Sequence, residues 1–372
     1  MSERVQDYVV DYSVTKLEET ARTFRRLGEA YENASEPQKS GTGISKQLFL
    51  VADVLEECMT MYVHTEDGKK DFVRELTRKC FVNGIRIKNV QHLSKKNGRN
   101  AIVFQARTVG RSCVTAKKVV PVLTEVSGYY PDDSNRRIIN EEYHQYIFIQ
   151  EDRFKLLSGV ARMNKGKSHF NGDNFLISRL ECGKAIAAIA DGMGSGKRAY
   201  IESRMVIELM ENCIDAGFDE KASIDLINSA YIAGGGTGNP VTMDMSVIDC
   251  QSGYMHCMKL GAVSTFIRRD KWVEIIQSTT LPMGVLEQVD YDCTTKKLYD
   301  GDYIVMVSDG VLDNIPCVNK EERMAQMIHA LTIREPSAMA EKLLEQSLAY
   351  NDMKASDDCT VLVLGLFDTY EK

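Results

Sequence analysis

Residues 184–198 read KAIAAIADGMGSGKR, and this stretch decides the fold. Residues 185–190 form an unbroken apolar run of strand length, far too short to span a bilayer. The run ends on a carboxylate, Asp191, followed by Gly192, and a helical pattern begins at Arg198. The same design recurs downstream, where the apolar run 304–307 leads through Ser308 into Asp309-Gly310. Two further acidic positions precede strands instead of following them. Asp173 sits in Asn171-Gly172-Asp173-Asn174 ahead of 174–180, and Asp357-Asp358 sits ahead of 360–366. In an antiparallel sheet the C-terminal end of one strand lies beside the N-terminal end of its neighbour. Two strand-then-Asp-Gly units and two Asp-then-strand units can therefore gather four carboxylates at one end. Such a group repels itself, and hard divalent cations with oxygen ligands, magnesium or manganese, resolve the repulsion. The glycine after each Asp permits a tight turn and leaves a carbonyl free to coordinate. A single Asp-Gly after a strand is an ordinary turn; the weight lies in the combination and its order.

A nucleotide-binding loop is the rival reading of Gly192-Met193-Gly194-Ser195-Gly196-Lys197. The phosphate-loop pattern G-x-x-x-x-G-K-[ST] needs Gly where Asp191 stands and Ser or Thr where Arg198 stands, so it fails at both ends. The glycine-rich stretch 234–238 lacks the lysine and reads as a loop.

Outward from this stretch, strands are expected at 143–150, 154–163, 174–180, 184–190, 241–250, 254–260, 263–268, 272–277, 303–308 and 360–367. Helices are expected at 198–216, 222–233, 320–331 and 337–350. Strands in runs and helices in pairs point to an α+β layered sandwich. On the helix 198–216, Ile201, Met205, Leu209 and Ile214 mark the expected buried face, with Gly217 as C-cap. Before this region, 44–130 reads as a small α/β unit. It has helices at 48–59 and 71–82, strands at 85–93 and 101–108 around the turn Lys95-Lys96-Asn97-Gly98, and a third helix within 113–126, interrupted or started by Pro121. No nucleophile, base or metal-ligand set appears there, so its expected role is regulatory. At the amino terminus Val10, Val14, Leu17, Ala21, Phe24, Gly28 and Tyr31 alternate at four and three. That seam suits either a dimerising helix, and so a homodimer, or a helix packed on its own domain. The expected domains are thus an amphipathic helix and linker at 1–36, a small α/β regulatory region at 37–139, and a catalytic domain at 140–372.

The resemblance lies in Gly159-Val160-Ala161, Gly172-Asp173, residues 190–196, Ile248-Asp249, Lys259-Leu260-Gly261-Ala262, Leu281-Pro282-Met283-Gly284, Gly301-Asp302, Ser308-Asp309-Gly310 and Asp357-Asp358-Cys359-Thr360. In order and spacing, residues 155–367 resemble the catalytic domain of the stage II sporulation protein E family, a bacterial branch of the PPM metal-dependent phosphatases. The resemblance implies two antiparallel sheets packed face to face and flanked by helices. It implies two Mn2+ or Mg2+ ions, bridged by Asp191, with the Gly192 carbonyl on one and Asp309 and Asp357 on the other. Asp173 lies behind them, and Asp358 is the alternative to Asp357. It further implies a phosphorylated anti-anti-sigma factor as substrate, whose dephosphorylation activates a sporulation sigma factor. In that family the helix pair after Asp191 acts as a switch that completes the metal site. The chemistry needs no protein nucleophile, so Ser195 and Ser308 read as structural. Met193 stands where many eukaryotic relatives carry a histidine general acid. No arginine matches the phosphate-binding arginine of those relatives, and Lys165 and Lys167 are the substrate-binding candidates.

Composition narrows the field. The chain has 372 residues, 44% hydrophobic, with a formal net charge of −7, which argues against nucleic acid as the main partner. Ten cysteines include no C-x-x-C pair, so free thiols in a reducing compartment are expected rather than zinc. The start, MSERVQDYVVDY, shows no basic segment followed by an apolar core. The expected location is cytoplasmic, or membrane-associated if the chain is a fragment of a longer family member. Two other functions compete: a stress-response phosphatase with another anti-anti-sigma substrate, and a non-catalytic partner-binding module. The complete set of aspartates argues against the second.

Overall fold

A computed structural model describes residues 17–29, 41–60, 69–93, 99–131, 137–166, 170–180, 183–194, 196–216, 218–233, 240–286 and 291–369. The chain divides into two compact units, Met1–Asp152 and Arg153–Lys372.

The first unit begins with helix α1 (17–29) and α2 (Gly41–Thr60). The described part of the amino-terminal seam faces α2 of the same chain. Ala21 and Gly28 are buried, Gly28 lies against the Phe49 ring, and Arg25 pairs with Asp53 and Glu56. Val10, Val14 and Tyr31 lie outside the described residues. After α3 (Lys69–Val82), strands β1 (Ile85–Leu93) and β2 (Ala101–Thr108) pair antiparallel, as expected from their alternation. The turn at 95–98 lies outside the described residues. Within 113–126, where a helix interrupted or started by Pro121 is expected, the chain forms a short strand β3 (Val114–Thr115), a 3-10 turn and then α4 (Val120–Ser127). Pro121 has no N–H and starts the α-helix rather than continuing one. A two-residue β4 (Ile138–Ile139) pairs with β3. β5 (His144–Ile149) pairs with β2, giving the sheet order β1-β2-β5. The expected boundary at 139/140 therefore moves to Asp152/Arg153. The strand read as the start of the catalytic domain closes the core of the first unit, where Tyr146 and Phe148 pack on Phe104.

The second unit holds β6 (Phe154–Met163), β7 (Asp173–Arg179), β8 (Lys184–Gly192), α5 (Lys197–Asp215), α6 (Glu220–Ala233), β9 (Val241–Asp249), β10 (Tyr254–Leu260), β11 (Thr265–Arg268), β12 (Val273–Ile276), β13 (Asp292–Lys297), β14 (Tyr303–Val307), α7 (Asp309–Asp313), α8 (Lys320–Ala330), α9 (Pro336–Leu348) and β15 (Cys359–Asp368). They form two five-stranded sheets, β13-β10-β9-β8-β7 and β12-β11-β14-β15-β6, antiparallel throughout. Strand β8 shows why its sequence is a continuous apolar run. Ile186, Ala188 and Ala190 face α5 and α6, with Val206, Met210 and Ile227. Ala187 and Ile189 face the other sheet, with Ile304, Met306 and Leu362. A strand covered on both faces needs no polar alternation. Helices α8 and α9 cover the second sheet through Met324, Ile328, Met339 and Leu343. The result is the expected α+β sandwich of two sheets between helix layers.

Two expectations are corrected here. On α5 the buried residues are Ala199, Ser203, Val206, Ile207, Met210 and Ile214, while Ile201, Met205 and Leu209 are exposed. Strand β13, a Thr- and Lys-rich sheet edge, was not expected, because an edge strand buries too little to leave an apolar pattern. The expected C-cap Gly217 and the loop 234–238 lie outside the described residues.

Close backbone contact fixes several glycines. A Cβ on Gly159 of β6 would lie 2.2 Å from the backbone nitrogen of Ser337 on α9. Gly159→Ala is expected to cost about 3 kcal/mol, since neither backbone can yield cheaply. Thermal melting would check this, and an unchanged midpoint would show that α9 moves freely over β6.

Candidate active site

The aspartates sit where the two sheets end. In the β7–β8 register Asp173 stands directly opposite Asp191. Asp309 opens α7 just beyond β14, and Asp357 and Asp358 lead into β15, the partner of β14. The hinge between these last two strands is tied by Ser308, whose amide donates to the Thr360 carbonyl at 3.0 Å and whose Oγ accepts from the Thr360 amide at 2.9 Å. Ser308 is thus committed to backbone bonding. Ser195 lies outside the described residues.

Electrostatics show that the carboxylates feel one another. Burial raises the pKa of Asp191, and the charges of Asp173, Asp309, Asp357 and Asp358 raise it further. Burial raises Asp173 as well; the nearby Ser308 and Thr360 hydroxyls partly offset this, and Asp309 and Asp358 add to it. Asp309 is raised chiefly by burial. Asp173 is 1% exposed, and neither carboxylate oxygen has a partner at hydrogen-bond distance. Two like charges opposite each other in a buried sheet end are costly unless something else shares the site.

Asp357 and Asp358 differ sharply. Asp358 is buried, and its oxygens accept the Lys165 and Gly172 amides, each at 2.7 Å. It binds the β6–β7 loop to the start of β15. The Asp357 side chain is half exposed and meets Lys165 Nζ at 3.4 Å. Lys165 is therefore beside the cluster, whereas Lys167 lies outside the described residues. Among the described residues, no three His, Cys, Asp or Glu side chains close on a common point as they stand.

The glycines after Asp191 and Asp309 have a different reason from the expected tight turn. Neither has a positive φ. A Cβ on Gly192 would lie 2.5 Å from the Ala199 carbonyl of α5, and one on Gly310 would lie 2.1 Å from the Asp358 carbonyl. Both positions let backbones touch at the site. Ser203 of α5 adds to this, donating from Oγ to the Gly172 carbonyl at 2.6 Å.

Sequence reading missed Arg162. Its guanidinium donates to the Asp173 carbonyl and lies over the Phe175 ring, and Asp173 and Asp358 both act on its charge. Only the β6–β15 register, which pairs Arg162 with Thr360, brings it to the site. The described cysteines are all free, some buried and some exposed. Among the described residues no helix is long and apolar enough to cross a membrane.

Comparison with known proteins fits this geometry. The family model for Stage II sporulation protein E matches residues 182–367. Stage II sporulation protein E of Bacillus subtilis (strain 168) is 28% identical over 292 residues, 76% of this chain and 34% of that protein. Its counterpart in Priestia megaterium is 31% identical over 258 residues, 67% of this chain and 43% of that protein. The chain thus spans well under half the length of the curated relatives it matches. The solved PP2C phosphatase domain of the Bacillus subtilis protein, with a fragment of its regulatory domain, superposes with a TM-score of 0.65. It is 25% identical and covers 88% of this chain and 96% of its own. A sandwich with this acidic sheet end, matched by that model over half its length, makes the chain a member of the stage II sporulation protein E family.

Proposed function

We propose that the second unit is a protein serine/threonine phosphatase acting with two Mn2+ or Mg2+ ions. The observation that carries this reading is Asp173, buried and without a hydrogen-bond partner, facing Asp191 at a sheet end shared with Asp309 and Asp357. The donor set fits hard divalent cations in kind, being all carboxylate and carbonyl oxygen. Asp191, the Gly192 carbonyl, Asp309 and Asp357 would hold the ions, with Asp173 behind them. Asp358 is spent on two backbone amides, so it positions the Asp357 backbone instead. When bound, the ions supply charge neutralisation and an activated water. The chain itself contributes Lys165, half exposed beside Asp357, to orient an incoming phosphoryl group. Met193 offers no proton, so the leaving serine oxygen takes its proton from solvent. The substrate proposed is the phosphoserine of an anti-anti-sigma factor, whose release activates a sporulation sigma factor. This rests on the family.

The test is phosphate release from a phosphoserine-bearing anti-anti-sigma factor, with manganese, with chelator, and with Asp309→Asn. Release with manganese alone is the expected result. Equal release in chelator would overturn the metal reading. Release by Asp309→Asn at the native rate would remove that residue from the site.

A further inference from the structure

The first unit carries a charge distribution that the proposed phosphatase reaction does not use. Residues 69–118 hold fourteen lysines and arginines against two acidic residues, Asp71 and Glu75, in a chain whose net charge is −7. Part of this charge is gathered at one place. An open cleft of about 590 Å³ lies between α3 and β1, lined by Arg74, Thr77, Arg78, Phe81, Arg86 and Tyr143 among others.

Three observations show that the cleft is not an ordinary solvated face. First, its cations lack carboxylate partners. Lys79, on the same helix, pairs with Glu75 and Glu125. Arg74, Arg78 and Arg86 of the lining have no such partner among the described residues, nor do Lys88 and Arg107, which lie over the lining residue Tyr143, and Arg107 Nε is buried without any hydrogen-bond partner. Second, the β1–β2 register sets Arg86 directly opposite Arg107, a repulsive pair that an anionic guest would relieve. Third, large apolar groups stand exposed among the cations. Phe81 is 52% and Val82 76% exposed.

We infer that this cleft docks an acidic segment of a partner protein that carries an apolar anchor. Carboxylates would meet the Arg74, Arg78 and Arg86 guanidiniums, and the anchor would cover Phe81 and Val82. The rings themselves argue for a peptide over a nucleic acid. Arg86 lies over Phe81 at 5.6 Å, and Lys88 and Arg107 lie over Tyr143 at 4.5 and 5.2 Å. Ring faces already taken by cations are not stacking platforms for bases.

Fluorescence anisotropy of the full chain with a fluorescein-labelled Glu/Asp-rich peptide bearing one Phe and one Leu tests the inference. Oligothymidine and phosphatidylglycerol vesicles serve as the other anionic probes. The peptide is expected to bind, more weakly at high salt. The triple variant Arg74→Glu/Arg78→Glu/Arg86→Glu is expected to lose about tenfold or more in affinity. Arg111→Glu, in the same basic segment but not part of the cleft lining, is expected to leave binding unchanged. Arg86→Glu alone is expected to weaken binding while raising the melting temperature, because it turns a repulsive cross-strand pair into an attractive one. That combination keeps a loss of binding distinct from a loss of fold. Equal binding by wild type and the triple variant would overturn the inference, as would an equal loss in Arg111→Glu. Tighter binding of oligothymidine or the vesicles than of the peptide would overturn it in favour of that ligand.

Discussion

Replacing Asp191 with asparagine is expected to lower kcat/KM for phosphate release by about a thousandfold or more, with the sheets intact. Asp191 is the carboxylate on which Asp173, Asp309, Asp357 and Asp358 all act, so it occupies the electrical centre of the cluster. Asparagine keeps the shape and one acceptor but removes the charge. The same change carries an opposite prediction for stability. Asp191 faces Asp173 across β7 and β8, and removing one of two opposed charges relieves repulsion. The metal-free variant is therefore expected to melt about 2–4 °C higher than the wild type. Parallel phosphate-release assays and thermal melts in chelator check both halves. Native activity would displace Asp191 from the site. A lower melting temperature would mean that its carboxylate is held by favourable contacts.

Lys259→Met is expected to cost about 3–5 kcal/mol, the range for breaking a buried ion pair. Lys259 is 1% exposed, deep in the sandwich. Its Nζ donates to Asp244 Oδ2 at 2.6 Å, to the Val263 carbonyl at 2.6 Å and to Thr265 Oγ1 at 2.7 Å. Lys259 and Asp244 are direct neighbours in the β9–β10 register. Methionine fills the volume but leaves the Asp244 carboxylate buried, with the Thr265 hydroxyl and the weak Cys257 thiol as its remaining donors. The double variant Lys259→Met/Asp244→Leu removes both charges and is expected to recover most of the loss, since apolar residues often replace such pairs without penalty. Denaturant unfolding of the two variants separates the terms. A single variant as stable as wild type would show that water reaches the pair.

What was legible in the sequence follows from burial. Strands 184–190, 303–308 and 360–367 announced themselves because both of their faces are covered. The face of α5 did not. Ile201, Met205 and Leu209 repeat every four residues and look like a core stripe, yet the helix meets the sheet through Ala199 and Ser203. Contact there is so close that even a Cβ on Gly192 would collide with Ala199, so the buried face must be built from small residues that hydrophobicity overlooks. Strand β5 misled for another reason. The expected strands 143–150 and 154–163 follow each other closely and both fall within the expected catalytic domain, but β5 pairs with β2 instead, a choice made by long-range packing. At the candidate site the acidic positions could be named from order alone. The distinct environments of Asp357 and Asp358 could not, because they depend on which amides the folded loop presents.

The pairing of β6 with β15 runs over ten residues, from Phe154–Asp368 to Met163–Cys359, and so joins the first strand of the second unit to its last. On the ribosome, β6 emerges early and must wait for nearly the whole unit to be translated before its neighbour exists. The aspartates at 357 and 358 arrive with that final strand. A chain that has not reached this strand therefore lacks both a sheet partner for β6 and the last corner of the acidic cluster, and the two arrive together.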